Sequence, residues 1–103
     1  MRTDNSDNEI NCLQQTQTLN VQKSLDFSTT PLFISRIDDL DVSATNKIRI
    51  DFSECGHIDS SGLGFLLLIN QKFESFEIVL EGMSDQILEK LKTVHFDQLF
   101  RLN

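Results

Sequence analysis

Between Lys47 and Lys72 the chain passes from a strictly alternating segment, Lys47-Ile48-Arg49-Ile50-Asp51-Phe52, through Ser53 to His57 into Asp59-Ser60-Ser61-Gly62-Leu63-Gly64 and the apolar run Phe65 to Ile69. Alternation with a period of two is the mark of a strand with one buried face. Asp59 or Ser60 directly before an apolar run marks a helix start, because a side-chain oxygen there accepts from a backbone N–H that has no helical partner. Gly56 gives Ser53 to His57 the character of a turn between the two. A strand leading this directly into a helix requires a layer of helices on a layer of sheet. At 103 residues the chain supports one such domain with one modest core.

The remaining segments fill in the same plan. Glu9 to Gln15 and Gln17 to Lys23 read as two short strands able to form a hairpin, the second through alternation of Leu19 and Val21 with polar neighbours. Thr29-Thr30-Pro31 predicts a helix start, since proline at the first helical position lacks only an N–H that would be unpaired anyway. Phe33, Ile37 and Leu40 then form its apolar stripe, with Leu32 and Ile34 widening it and Asp38, Asp39 and Asp41 left for water. Phe76 to Leu80 is a further strand closed by Gly82. Ser84 caps a last helix carrying Ile87, Leu88, Leu91 and Val94 on one face, and a short edge strand is expected within Phe96 to Leu102. The expected fold is α/β: a single domain over 9–103, with a mixed sheet of four or five strands packed by about three helices on one side, after a polar tail at 1–8.

Charge and motif content narrow the function. A formal charge of −7, from 16 acidic and 9 basic residues, repels nucleic acid and anionic membrane surfaces. No apolar stretch approaches the roughly 20 residues of a membrane span. Cys12 and Cys55 lack a C-x-x-C spacing and suit a reduced, cytoplasmic protein. No P-loop or G-x-G-x-x-G is present, so no cofactor is expected. Cys55, His57 and Asp59 alternate as ligands would, but three ligands with no second cluster make a poor metal site. His57, Asp59 and Ser60 are the residue types of a hydrolase triad, yet near neighbours in sequence reach triad geometry poorly. No catalytic residue is assigned.

The helix from Asp59 carries more apolar surface than one stripe requires. Leu63, Phe65, Leu66, Leu67, Leu68 and Ile69 surround two turns, and the surplus is covered either by a neighbouring helix or by a partner protein. Gly62 and Gly64 strip side chains from the first turn, which suits close approach of another backbone or tight helix-on-sheet packing. Ser60 and Ser61 stand at the positive end of the helix dipole, where a serine is a cap or a tolerated phosphate. The expected docking residues are Asp59, Ser60, Ser61, Gly62, Leu63, Gly64, Phe65 and Leu66, with Ser60 as the candidate phosphorylation site.

The segment Ile48 to Gly64 resembles the signature of STAS domains, in which a strand, a short loop and an Asp-Ser-Ser/Thr-Gly-Leu-Gly helix start follow in order; the resemblance extends from about Glu9 to Leu102. It implies a sheet packed by helices, no catalysis, and a binding surface centred on this helix. Two branches of the family are similar. One is the small cytoplasmic subunit of the Gram-negative Mla phospholipid-transport ABC system, resembled in Leu25 to Leu32, the leucine-rich helix and Val79-Leu80-Glu81-Gly82; it implies docking on the ABC transporter ATPase subunit at the inner face of the inner membrane. The other is the anti-sigma factor antagonists, which implies phosphorylation of Ser60 by an anti-sigma factor that is also a serine kinase. A persistently apolar helix suits a permanently bound subunit better than a protein that must spend time free.

Overall fold

A computed structural model describes residues 15–40 and 45–103 of the chain. Strand β1 (Gln15–Leu25) leads into helix α1 (Thr30–Asp38), then strand β2 (Thr45–Ile58), helix α2 (Ser60–Lys72), strand β3 (Glu77–Glu81), helix α3 (Asp85–Thr93), a 3-10 turn (Phe96–Gln98) and strand β4 (Arg101–Leu102). The sheet order is β1-β2-β3-β4, and every pairing among the described residues is parallel. The antiparallel member expected from Glu9 to Gln15 lies outside the described residues, except Gln15, which opens β1. Parallel strands added in sequence order through right-handed crossovers put all their helices on one face. Sheet and helices therefore form two layers.

The alternation of β2 decides which residues meet the helices. Ile48, Ile50 and Phe52 are buried, as are Leu19 and Val21 of β1 and Ile78 and Leu80 of β3. From the helical layer come Phe33 and Ile37 of α1, Phe65, Leu66 and Ile69 of α2, and Ile87 and Leu91 of α3. The opposite face carries ion pairs between neighbouring strands, Arg49 with Glu81 at 3.8 Å and Arg101 with Glu77 at 3.1 Å. Val79 lies between Arg49 and Arg101 in register and is buried, which the aliphatic stems of long cationic side chains can achieve at a sheet surface.

Ser53 to His57 departs from the expected turn and continues β2 as strand. The physical reason is long-range pairing. Lys23 pairs with Cys55 and Ser24 with His57, with register shifts between Asn20 and Gln22 and between Lys23 and Ser24 that absorb the irregularity. A Cβ on Gly56 would stand 3.7 Å from the Lys23 carbonyl oxygen, an ordinary contact, so nothing at Gly56 obliges the chain to turn. Val94, expected on the buried face of the last helix, is instead 40% exposed just beyond the end of α3.

Helix α3 is capped as its sequence predicts, with the Ser84 hydroxyl accepting from the Ile87 N–H at 3.3 Å. Just past its C-cap Val94 stands His95, whose φ of 65° lies in the left-handed region while its N–H donates to the Lys92 carbonyl. A side chain in that conformation is strained by about 1–2 kcal/mol, whereas glycine is not. Because glycine also loses more chain entropy on folding, His95→Gly is expected to stabilise the protein by about 1 kcal/mol or slightly less, read as a raised urea midpoint with an unchanged slope.

Candidate functional site

The start of α2 is held by one carboxylate that joins two parts of the chain. Asp59 is the N-cap; its Oδ1 accepts from the Gly62 N–H at 3.0 Å, and its Oδ2 accepts from the Phe27 N–H at 3.2 Å. Its own N–H donates to the Leu25 carbonyl. The loop after β1 is thereby fastened to the first turn of α2. On the far side, Lys90 of α3 donates to the Ile58 carbonyl at 2.9 Å and fixes the end of β2.

The loop itself is tied by local hydrogen bonds. Asp26 Oδ1 accepts from the Ser28 N–H and hydroxyl and from the Thr29 N–H, while the Thr29 hydroxyl donates to the Ser24 carbonyl. The hydroxyls of Ser28 and then Ser24 hold the Asp26 carboxyl below its ordinary value. The loop thus carries a fixed negative charge at neutral pH.

Gly62 and Gly64 occupy different environments. A Cβ on Gly62 would lie 2.2 Å from the Leu25 carbonyl oxygen and 2.8 Å from Ile58 Cγ1, so only glycine lets α2 approach the end of β1 this closely. Among the described residues, a Cβ on Gly64 would meet nothing within 4 Å. Packing explains the first glycine and leaves the second unexplained.

Burial along α2 divides the apolar run. Phe65, Leu66 and Ile69 are core, Leu63 is partly buried against it, and Leu67 and Leu68 are each 42% exposed. Ser60, Gly64, Leu67, Leu68, Gln71 and Lys72 are the exposed positions of α2, and the first five recur at helical spacing. These five form one outward stripe opposite the buried one. Phe65 and Leu66, expected at the docking surface, point into the core instead, with Phe65 6.1 Å from the Phe33 ring of α1. Burial in a packed core, not contact with a partner, accounts for both. Asp59 and Ser61 are part-buried and Ser60 is exposed.

Sequence reasoning missed Phe27. It is 78% exposed, the most exposed of the large apolar side chains among the described residues, and its backbone is bonded to Asp59. The available signal was its position beside an Asx turn, Asp26 to Thr29, but nothing local connects that turn to Asp59.

The chemical alternatives do not assemble. Cys55 is buried, its thiol donating to the His57 carbonyl at 3.3 Å, and burial pushes that thiol up. His57 is exposed. The alternation expected to put Cys55, His57 and Asp59 on one side is broken by the irregular end of β2. Among the described residues no group of three or more His, Cys, Asp or Glu is placed to hold a metal ion. Both oxygens of Asp59 are committed to backbone N–H groups, which removes the orienting partner a His57–Ser60 pair would need. An open groove of about 410 Å³ between the end of β2 and α3 includes Gly56, His57, Gln86 and Lys90, but the Lys90 amine is already taken by Ile58. No helix among the described residues is long and apolar enough to cross a membrane.

Comparison with known proteins bears on the fold. The family model described as STAS domain matches residues 9–103. Among solved structures, a sulfate transporter family protein from Wolinella succinogenes superposes with a TM-score of 0.74 at 16% identity, covering 84% of this chain and 75% of that one. The anti-sigma factor antagonist SpoIIAA in its unphosphorylated form superposes with a TM-score of 0.67 at 18% identity, covering 87% of this chain and 80% of that one.

Proposed function

From the premise that this chain belongs to the STAS domain family, we propose that it is a non-catalytic docking protein, the accessory cytoplasmic subunit of a phospholipid-transport ABC complex, bound to that complex's ATPase subunit through the outward stripe of α2. The observation that carries this reading is the pair Leu67 and Leu68, each 42% exposed on the same face as Ser60 and Gly64. Two leucines on one exposed helical face favour a surface that is covered for most of the protein's life. Gly64 supports it too: glycine within a helix costs roughly 0.8–1 kcal/mol against alanine, and here no contact among the described residues requires it. Close approach by a second backbone would. Purification of the tagged protein from its native cell is expected to bring down an ABC ATPase and its permease in fixed ratio. Recovery of the chain alone under mild conditions would contradict the proposal.

A second reading rests on Ser60. Its side chain is exposed at the first position of a 13-residue helix, directly after the Asp59 cap. A phosphate there would meet the positive end of the helix dipole while placing nearly two negative charges at the start of the stripe. That is the arrangement an anti-sigma factor antagonist would use, and one structural neighbour carries that description. Intact-mass measurement on native material separates the two readings. Under the transporter reading no phosphate is found. A stoichiometric phosphate on Ser60, with Ser60→Asp releasing a kinase-type partner, would transfer the assignment to the antagonist.

A further inference from the structure

Phe27 is an apolar side chain outside the core formed by the described residues. It is 78% exposed, more than Leu67, Leu68 or any other large apolar side chain among the described residues, yet its backbone is held firmly. The Phe27 N–H is bonded to Asp59 Oδ2, and the residues on either side are fixed by Asp26 Oδ1 and by Thr30 N–H donating to the Asp26 carbonyl at 2.9 Å. A ring displayed on an immobilised loop enters a pocket without the ordering cost that a mobile loop would bring. Large aromatic side chains of this kind are where binding energy concentrates.

The same hydrogen bond holds its backbone beside the start of the α2 stripe. Asp59, the residue before Ser60, accepts from the Phe27 N–H, and Leu67 and Leu68 lie about 10–12 Å beyond Ser60 along α2 at 1.5 Å per residue. Gly64 is the gap between the two ends. The layout is an aromatic projection, a notch, and an aliphatic pair.

Charge selects the occupant. The chain has a formal charge of −7, and the ionised Asp26 carboxylate borders Phe27. An anionic lipid surface would be repelled, and so would a second copy, which brings another −7. Apolar projection with acidic rim fits a different protein that presents an apolar pocket bordered by Lys or Arg.

Resting on the docking reading above, we infer that Phe27 is the anchor of that interface, inserted into an apolar, basic-rimmed pocket of the partner, and that it sets partner specificity although it lies outside the Asp59–Gly64 motif. The experiment places the photo-crosslinking residue p-benzoylphenylalanine at position 27, at 68, and at 49 on the opposite sheet face, in the full chain in its native cell. Positions 27 and 68 are expected to cross-link to one protein, the ABC ATPase subunit, and position 49 to give no such product. Phe27→Ala, which removes no core contact, is expected to weaken binding to the purified ATPase subunit by roughly tenfold or more, with an unchanged circular dichroism spectrum. If 27 and 68 join the same protein and it is a kinase-type anti-sigma factor, the anchor stands and the ATPase assignment falls. If 68 yields a product and 27 none, or if Phe27→Ala changes the Kd less than twofold, the anchor is overturned while the docking reading survives. Failure at both positions overturns both.

Discussion

Gly62→Ala is expected to destabilise this protein by about 3 kcal/mol or more, lowering its thermal midpoint by roughly 12–24 °C. The new Cβ would sit 2.2 Å from the Leu25 carbonyl oxygen, and that carbonyl is backbone, held by the Asp59 N–H and by strand pairing with β2. Neither partner can yield cheaply. Moving α2 outward would also stretch the cap bond from Gly62 to Asp59 and loosen the Asp59–Phe27 bond beside it. Overpacking of this kind costs about 1–3 kcal/mol, and loss of an N-cap about 1 kcal/mol more. Set against a typical domain stability of about 5–15 kcal/mol, the substitution threatens the fold itself. Gly64→Ala, two residues on, should do the opposite. With nothing among the described residues within 4 Å of its Cβ, it should gain helix propensity and raise the stability by about 0.8–1 kcal/mol. Thermal unfolding of the two variants side by side checks both signs at once.

The second large effect concerns binding. Replacing Leu67 and Leu68 together by Asp should leave the monomer folded, because the core residues of α2 are Phe65, Leu66 and Ile69. Two mid-helix aspartates lower helix propensity by at most about 0.7 kcal/mol each. At an interface the same substitutions remove apolar burial and bring in two carboxylates with no designed partner. The half-exposed leucines contribute about 1–2 kcal/mol together at the usual coefficient for apolar area, and burying an unpaired carboxylate costs several kcal/mol. Affinity for the ATPase subunit is therefore expected to fall at least a hundredfold, measurable by calorimetric titration. A double variant that binds as tightly as the original chain would remove α2 from the interface.

How much of this could be read without coordinates differs by residue, for physical reasons. The helix starts were legible because their signals are local: Pro31 inside the first turn of α1, Asp59 and Ser84 as caps. The strand core was legible from the alternation of Ile48, Ile50 and Phe52. The end of β2 was not, since Gly56 advertises a turn and only pairing with β1 keeps the segment extended. The two glycines of the motif looked equivalent, and what separates them is the position of the Leu25 carbonyl, contributed by a strand distant in sequence. The apolar excess of α2 was visible, but which leucines it exposes depends on where the sheet and α1 lie. Phe65 and Leu66 were therefore assigned to the docking surface and belong to the core, while Phe27 was passed over. A loop residue becomes part of a site only when a hydrogen bond such as Phe27 to Asp59 brings it there.

A chain that acts by holding another protein along one line of its surface should show that line in solution. Amide and methyl NMR spectra of the labelled chain, recorded with and without the purified ATPase subunit, test it most directly. Shifts or broadening are expected to be confined to Phe27, Ser60, Gly64, Leu67, Leu68 and their neighbours, with the Arg49, Val79 and Arg101 face unaffected. Perturbation centred on that sheet face, or on the groove beside Lys90, with the α2 stripe unchanged, would contradict it.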